Sequence, residues 1–295
     1  MSRILISGLT NMETTVRVRQ FPIHYYPIDY PFFGIQSAVS GVGYNVSKAM
    51  KTLGDEVVLL SMTGRDFPAS YIRAELSALG IDTGYIKDCL AQTPASVVLY
   101  DESGRRQIHC DLKDMQETAY GFPEDICRGA DLVVATNTNF NRELLHLAKQ
   151  AGIPIATDVH VLTDLYDGYN RDFMESADIL FLSDEGIGPD YQGFLWALAG
   201  TYPAQTIVLG RGSKGAAMYL RRENRIVELE AARVGQVVNT VGAGDALFSA
   251  FCHYRAKGME EVEALKRAQI FAAAKIRTSG AAQGFIPEAE VEKLL

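Results

Sequence analysis

Short, continuous apolar runs recur along this chain, and the stretches between them carry apolar residues at helical spacing. "RILISG" (3–8), "EVVLLSMTG" (56–64), "DLVVAT" (131–136), "IPIATD" (153–158), "ADILFLS" (177–183) and "TIVLG" (206–210) lack the period-two alternation of a strand with one wet face. They predict strands buried on both sides. Val46, Ala49, Met50 and Leu53 mark a helix that Gly54 ends; Ile72, Leu76 and Leu79 mark another, closed by Gly80. "NRELLHLAKQAG" (141–152) reads as a helix with Asn141 as its cap and Gly152 as its stop, and a last helix starts at Pro287. Strands of this kind alternating with helices predict a mostly parallel central sheet covered on both faces, a three-layer α/β/α core.

Two segments break the rhythm. From residue 16 the chain reads "VRVRQFPIHYYPIDYPFFGIQSAVSG", rich in β-branched and aromatic residues and cut by three prolines. "ASVVLYDESGRRQIHC" (95–110) reads as a hairpin around Asp101 to Gly104. The two segments, roughly 14–40 and 93–112, are expected to pair with each other outside the main sheet, as a small β lid on one domain spanning 1–295. Tyr25, Tyr26, Tyr30, Phe32 and Phe33 crowd the first. They suit packing within the lid, a homodimer contact through it, or a stacking surface for a flat ligand.

Composition narrows the partners more than the fold. At 295 residues, 47% hydrophobic and 22% charged, the chain can bury a large core. Its formal net charge is −8 with no Lys/Arg block, which argues against nucleic acid or an anionic membrane as the main partner. Cys89, Cys110, Cys127 and Cys252 are scattered without a CxxC, the pattern of reduced thiols. No apolar stretch reaches membrane-spanning length, and the N-terminal run is too short for a signal peptide, so a cytoplasmic protein is expected.

Chemistry concentrates in "NTVGAGDALFSAF" (239–251). Ala246, Leu247, Ala250, Phe251 and Tyr254 form one helix face, which sets Asp245 in the first turn. Free backbone N–H groups and the positive end of the helix dipole face outward there. Gly242, Ala243 and Gly244 let an anion approach those groups closely. Asp245 alone reads as a plain N-cap. Behind such a loop it also suits a base that takes the proton of an attacking hydroxyl while the amides hold a migrating phosphoryl group.

Other signals are weaker. Gly210 to Gly215 matches GxGxxG behind a strand, but a dinucleotide loop would open a helix and "AAMYL" reads as a strand. That leaves a nucleotide-phosphate loop or a β-turn. His109 and Asp111 share a strand face, yet two ligands do not make a metal site. Asp158 ends a strand, where the sites of parallel sheets gather, and is read here as outer support or a helix cap.

"NTVGAGD" resembles the D-T-x-G-A-G-D signature of the ribokinase, or PfkB, carbohydrate-kinase family. "SGVGYNVSKAMKTLG" with "SMTGRD" is similar to the family's N-terminal signature, "VLGRGSKGA" to its nucleotide loop, and "DESGRR" to the turn in its lid. The resemblance covers nearly the whole chain and implies a ribokinase-like fold. It implies Asp245 as general base and Gly242, Ala243 and Gly244 as the hole for the γ-phosphate of ATP. Gly41, Val42 and Asn45 would line the substrate pocket, with Asn11 and Glu13 at the position of a hydroxyl-binding N-x-D. Asp184, Gly212, Lys214, Gly215 and Thr240 would meet the nucleotide, and Mg2+ would bridge its phosphates.

Three departures from the family pattern matter. Glutamate at 13 in place of aspartate is longer by one methylene, so the hydroxyl it reaches should differ. The N-x-x-E motif tied to magnesium falls on Asp184-Glu185-Gly186-Ile187, which loses the last carboxylate and leaves Glu185 or water as the metal contact. The first Asp of the large signature, which helps hold a potassium-type cation in many members, is Asn239, so monovalent-cation activation is expected to be weak. The resemblance implies phosphorylation of a hydroxymethyl group on a sugar or sugar-like molecule. The alternatives are a nucleoside kinase, a non-catalytic ligand-binding member, or a dehydrogenase resting on GxGxxG alone.

Overall fold

In the computed structural model, which describes residues 1–295, the chain forms thirteen strands and eight helices. It begins β1 (Arg3–Ser7), β2 (Asn11–Arg17), β3 (Ile35–Ser40), α1 (Val42–Leu53), β4 (Glu56–Thr63), α2 (Phe67–Ala78), β5 (Ile86–Asp88), β6 (Ala95–Tyr100) and β7 (Arg106–Asp111). It continues with β8 (Leu132–Ala135), α3 (Asn141–Ala151), β9 (Ile155–Val161), α4 (Arg171–Ser176), β10 (Ile179–Ser183), α5 (Tyr191–Thr201) and β11 (Thr206–Gly210). It ends with β12 (Ala216–Leu220), β13 (Arg225–Leu229), α6 (Ala243–Ala256), α7 (Glu261–Lys275) and α8 (Glu288–Lys293).

Nine strands build the central sheet in the order β13-β12-β11-β10-β9-β8-β1-β4-β5. All neighbours from β11 to β5 run parallel, and β12 and β13 add an antiparallel edge. The continuous apolar runs become the interior strands because both faces are covered. In β1, Ile4 and Ile6 enter a core shared with α1, α2, α6, α7 and α8, while Leu5 enters a second core with α3, α4 and α5. This is the expected three-layer fold.

Strands β3, β2, β6 and β7 form a separate four-stranded sheet. Its centre is a parallel pairing of β2 with β6, with Glu13 opposite Ser96. Residues 18–34 carry no regular structure, and their rings face water: Tyr25 is 89% and Phe33 98% exposed. The two sheets meet where β3 passes through Gly41 into α1. Gly41 has φ 96°, and a Cβ there would stand 2.5 Å from the Leu9 carbonyl oxygen, so only glycine makes this corner.

One local expectation fails. Asn141 is the first helical residue of α3, behind Phe140, and does not cap it. Its buried amide instead donates to the carbonyls of Ser7 (2.9 Å) and Thr136 (2.8 Å), where β1 and β8 end. Those buried carbonyls have no water to turn to, so the side chain serves them and not the helix end.

Candidate active site

Gly242 begins α6. It holds φ 77°, and a Cβ there would lie 2.2 Å from the carbonyl oxygen of Ala281. At Gly244 a Cβ would meet nothing within 4 Å, so the front of the turn is open. The backbone N–H groups of Gly242, Gly244 and Asp245 donate to no protein group. These are the orphan donors of a helix N-terminus, left bare by the absence of side chains.

Asp245 is not the cap of this helix. No side chain caps α6. The Asp245 carboxylate turns away and accepts a hydrogen bond from Asn45 Nδ2 at 2.7 Å. Asn45 is buried in the first turn of α1, and α1 packs against α6, so two helix starts are joined by one polar contact. The carboxyl is set deep in the fold with one side open to solvent, and burial raises its pKa. Donation from Asn45, and the charges of His160 and Lys275, pull it back; Asp158 adds to the rise. A carboxylate partly stripped of water binds a proton more readily, which suits a base.

This geometry fixes the sign of a pH effect. The Asn45 N–H favours the ionised carboxylate, so its loss raises the Asp245 pKa further. If Asp245 must be ionised to act, Asn45→Ala moves the acid limb of kcat/KM to higher pH as well as lowering the plateau. A pH–rate profile with an unmoved acid limb would contradict the coupling.

On β2, Asn11 and Glu13 share one face. Asn11 is buried; its Nδ2 donates to Ser96 Oγ at 3.0 Å, and its Oδ1 has no partner. Asn45 Oδ1 is likewise buried and unpartnered. Glu13 accepts from Ser40 Oγ at 3.3 Å, and burial raises its pKa against that bond. Glu13 also feels the Asp245 charge. The sequence-predicted substrate residues therefore gather with Asp245 as a set of acceptors, two of them buried without a donor. Gly41 and Val42 supply the backbone turn that carries Asn45 inward.

Of the predicted nucleotide residues, Asp184, Gly212, Lys214 and Gly215 lie just beyond the ends of β10 and β11, and Thr240 lies in the loop before α6. Gly212 to Lys214 make a single 3₁₀ turn, Gly215 has φ 91°, and strand β12 follows, which removes the dinucleotide-loop reading. Asp184 leaves β10 and its N–H donates to the Gly210 carbonyl at 2.9 Å, tying the two loops together. Lys214 is exposed. The Thr240 carbonyl accepts from the Ala243 N–H at 3.1 Å.

The residues singled out for metals stand apart from one another. Glu185 is exposed on the turn after β10, and no three His, Cys, Asp or Glu side chains come together anywhere. Asn239 uses its Oδ1 to accept from the Val241 N–H at 2.8 Å.

Two groups escaped the sequence reading. His160 is the penultimate residue of β9, at φ 60°, with its N–H donating to Asp158 Oδ1 (2.8 Å) and its Nδ1 3.6 Å from Asp158 Oδ2, and it lies in electrostatic reach of Asp245. The pair Asp158 and His160, two residues apart at the end of an apolar run, was the only available signal. Lys275, fully buried at the end of α7, also lies in electrostatic reach of Asp245. Its place after a run of alanines carries no local signal of burial.

The sequence profile of the pfkB family of carbohydrate kinases matches residues 1–289. The chain belongs to that family. This kinase is therefore a phosphotransferase with a hydroxyl group as acceptor. It is 24% identical over 294 residues to a deoxyribokinase of Salmonella typhi, covering 94% of this chain and 93% of that protein. Among solved structures, an Arabidopsis thaliana ribokinase complexed with ribose and ATP superposes with TM-score 0.81 at 20% identity, covering 100% and 99% of the two chains. A nucleoside kinase of Methanocaldococcus jannaschii gives TM-score 0.82 at 19% identity, covering 100% and 98%. The kinase has no helix long and apolar enough to cross a membrane.

Proposed function

We propose that this kinase transfers the γ-phosphoryl group of ATP to a hydroxymethyl group of a neutral free sugar, with Asp245 as general base. The observation that carries the reading is the acceptor set: Asp245, Glu13, Asn11 Oδ1 and Asn45 Oδ1, the last two buried without donors. A buried carbonyl left unpaired costs stability, and a ligand that presents hydroxyl donors removes that cost. A sugar does so. Asp245 takes the proton of the attacking hydroxyl as the oxygen–phosphorus bond forms and ADP leaves. The bare amides at Gly242 and Gly244 stabilise the phosphoryl oxygens, with Ala243 keeping the turn small. Magnesium, when bound with the nucleotide, would neutralise phosphate charge, and Glu185 is the sequence-predicted side chain that would meet it. The small sheet covers the site and keeps water from the phosphoryl group.

A nucleoside acceptor would draw on the aromatic stretch at 25–33 for stacking. Those rings are exposed, and Tyr30 and Phe32 already stack on each other. The test is ADP release over a panel of pentoses, hexoses, polyols and nucleosides. Free sugars should support turnover above the nucleosides; turnover confined to nucleosides would overturn the acceptor assignment.

Glu13 is read as a substrate clamp. Glu13→Gln should raise KM for the acceptor about tenfold or more, since hydrogen bonds to charged groups contribute roughly 1.5–3 kcal/mol. KM for ATP should stay put. Equal changes in both KM values would contradict the assignment.

A further inference from the structure

Lys275, the last residue of α7, is fully buried. Lysine is rarely buried unless it is paired. Here its one hydrogen bond goes to the carbonyl of Val241, in the loop that leads into α6. An ammonium has three donors, and the other two meet no protein acceptor. The charge lies in electrostatic reach of the Asp245 and Glu13 carboxylates and of the Arg106 guanidinium on β7. Burial outweighs both carboxylates and pushes Lys275 down to about 8. The fold keeps a charge where its own packing disfavours it.

In many members of the family the aspartate at the position of Asn239 helps hold a potassium-type ion. The residues do not fit such an ion. Asn239 is neutral and its Oδ1 is engaged by the Val241 N–H, while the Val241 carbonyl is taken by Lys275.

We propose that Lys275 is a tethered cation for the phosphoryl-transfer site: it grips the Val241 carbonyl, fixes the Val241–Gly242 peptide, and supplies from within the chain the charge a dissociable ion would bring. The inference rests on the reading of Asp245 and the 242–244 turn as that site. In a planar trans peptide the carbonyl and the following N–H point opposite ways. Anchoring Val241 O therefore aims the unpartnered Gly242 N–H away from Lys275. Lys275 acts through this turn and is a positioning residue.

The experiment measures kcat, both KM values and thermal melts for the wild-type kinase, Lys275→Ala and Lys275→Gln, in potassium chloride and in choline chloride of equal ionic strength. Wild-type rate and melt should not distinguish the two salts. Lys275→Ala should lose about 10²-fold in kcat, the scale of one lost anion-hole donor, with KM for the sugar little changed. Potassium, and not choline, should restore much of that loss and raise the variant's melt. Lys275→Gln keeps a donor without the charge and should stay impaired. Three results overturn the proposal: potassium activation of the wild type, a fully active Lys275→Gln, or a Lys275→Ala defect that no cation repairs. Should the wild type transfer no phosphoryl group to any acceptor, the functional reading falls instead, and the salt dependence of the melts still decides whether Lys275 replaces an ion.

Discussion

Asp245→Asn is expected to abolish turnover while leaving the fold intact. The side chain caps nothing; its one structural contact is acceptance from Asn45 Nδ2 at 2.7 Å, which an amide oxygen can also make. The melting temperature should therefore shift by no more than about 1 kcal/mol of stability would produce. What disappears is the proposed proton acceptor. General-base contributions run at roughly 10²–10⁴-fold, so kcat should fall by at least about that much. KM for ATP should move little, because the amides of the turn and the 210–215 loop are untouched. Melt and kcat on one preparation decide the matter: an unchanged melt with kcat near wild type would remove Asp245 from the chemistry.

Gly244→Leu is expected to block the site from the other side. A Cβ at 244 meets no atom within 4 Å, so the fold accepts a side chain there, and leucine is a better helix former than glycine by up to about 1 kcal/mol. That side chain would stand over the bare amides. Displacing the phosphoryl group from its donors costs on the order of 10²–10³-fold in rate. The signature is a melt as high as wild type, or higher, with kcat/KM for ATP lost. Retained activity would mean the phosphoryl group does not pass over this turn.

The fold was legible because its strands are buried on both faces. Continuous apolar runs such as 179–183 and 206–210 cannot be mistaken for half-wet strands, and glycines with positive φ at 54 and 152 mark the helix ends that the spacing indicated. The candidate site was legible where backbone chemistry demands particular residues: Gly242 has no room for a Cβ, and the carboxylate three residues later follows in sequence. Partnerships across the chain were not. Asn45 reaches Asp245 from 200 residues away, and Lys275 reaches Val241 from 34. Nothing local distinguishes Lys275 from a solvated lysine, since its burial is imposed by α6 and α7 packing together. Asn141 failed for the same reason: its partners lie on other elements.

The most direct test of the account is phosphorus NMR of the wild-type kinase with magnesium-ATP and the acceptor the panel selects, run beside Asp245→Asn. The account predicts one new phosphomonoester signal that grows in step with ADP for the wild type, and none for the variant. ADP with free phosphate in place of a phosphomonoester, or a phosphomonoester formed equally by Asp245→Asn, would contradict it.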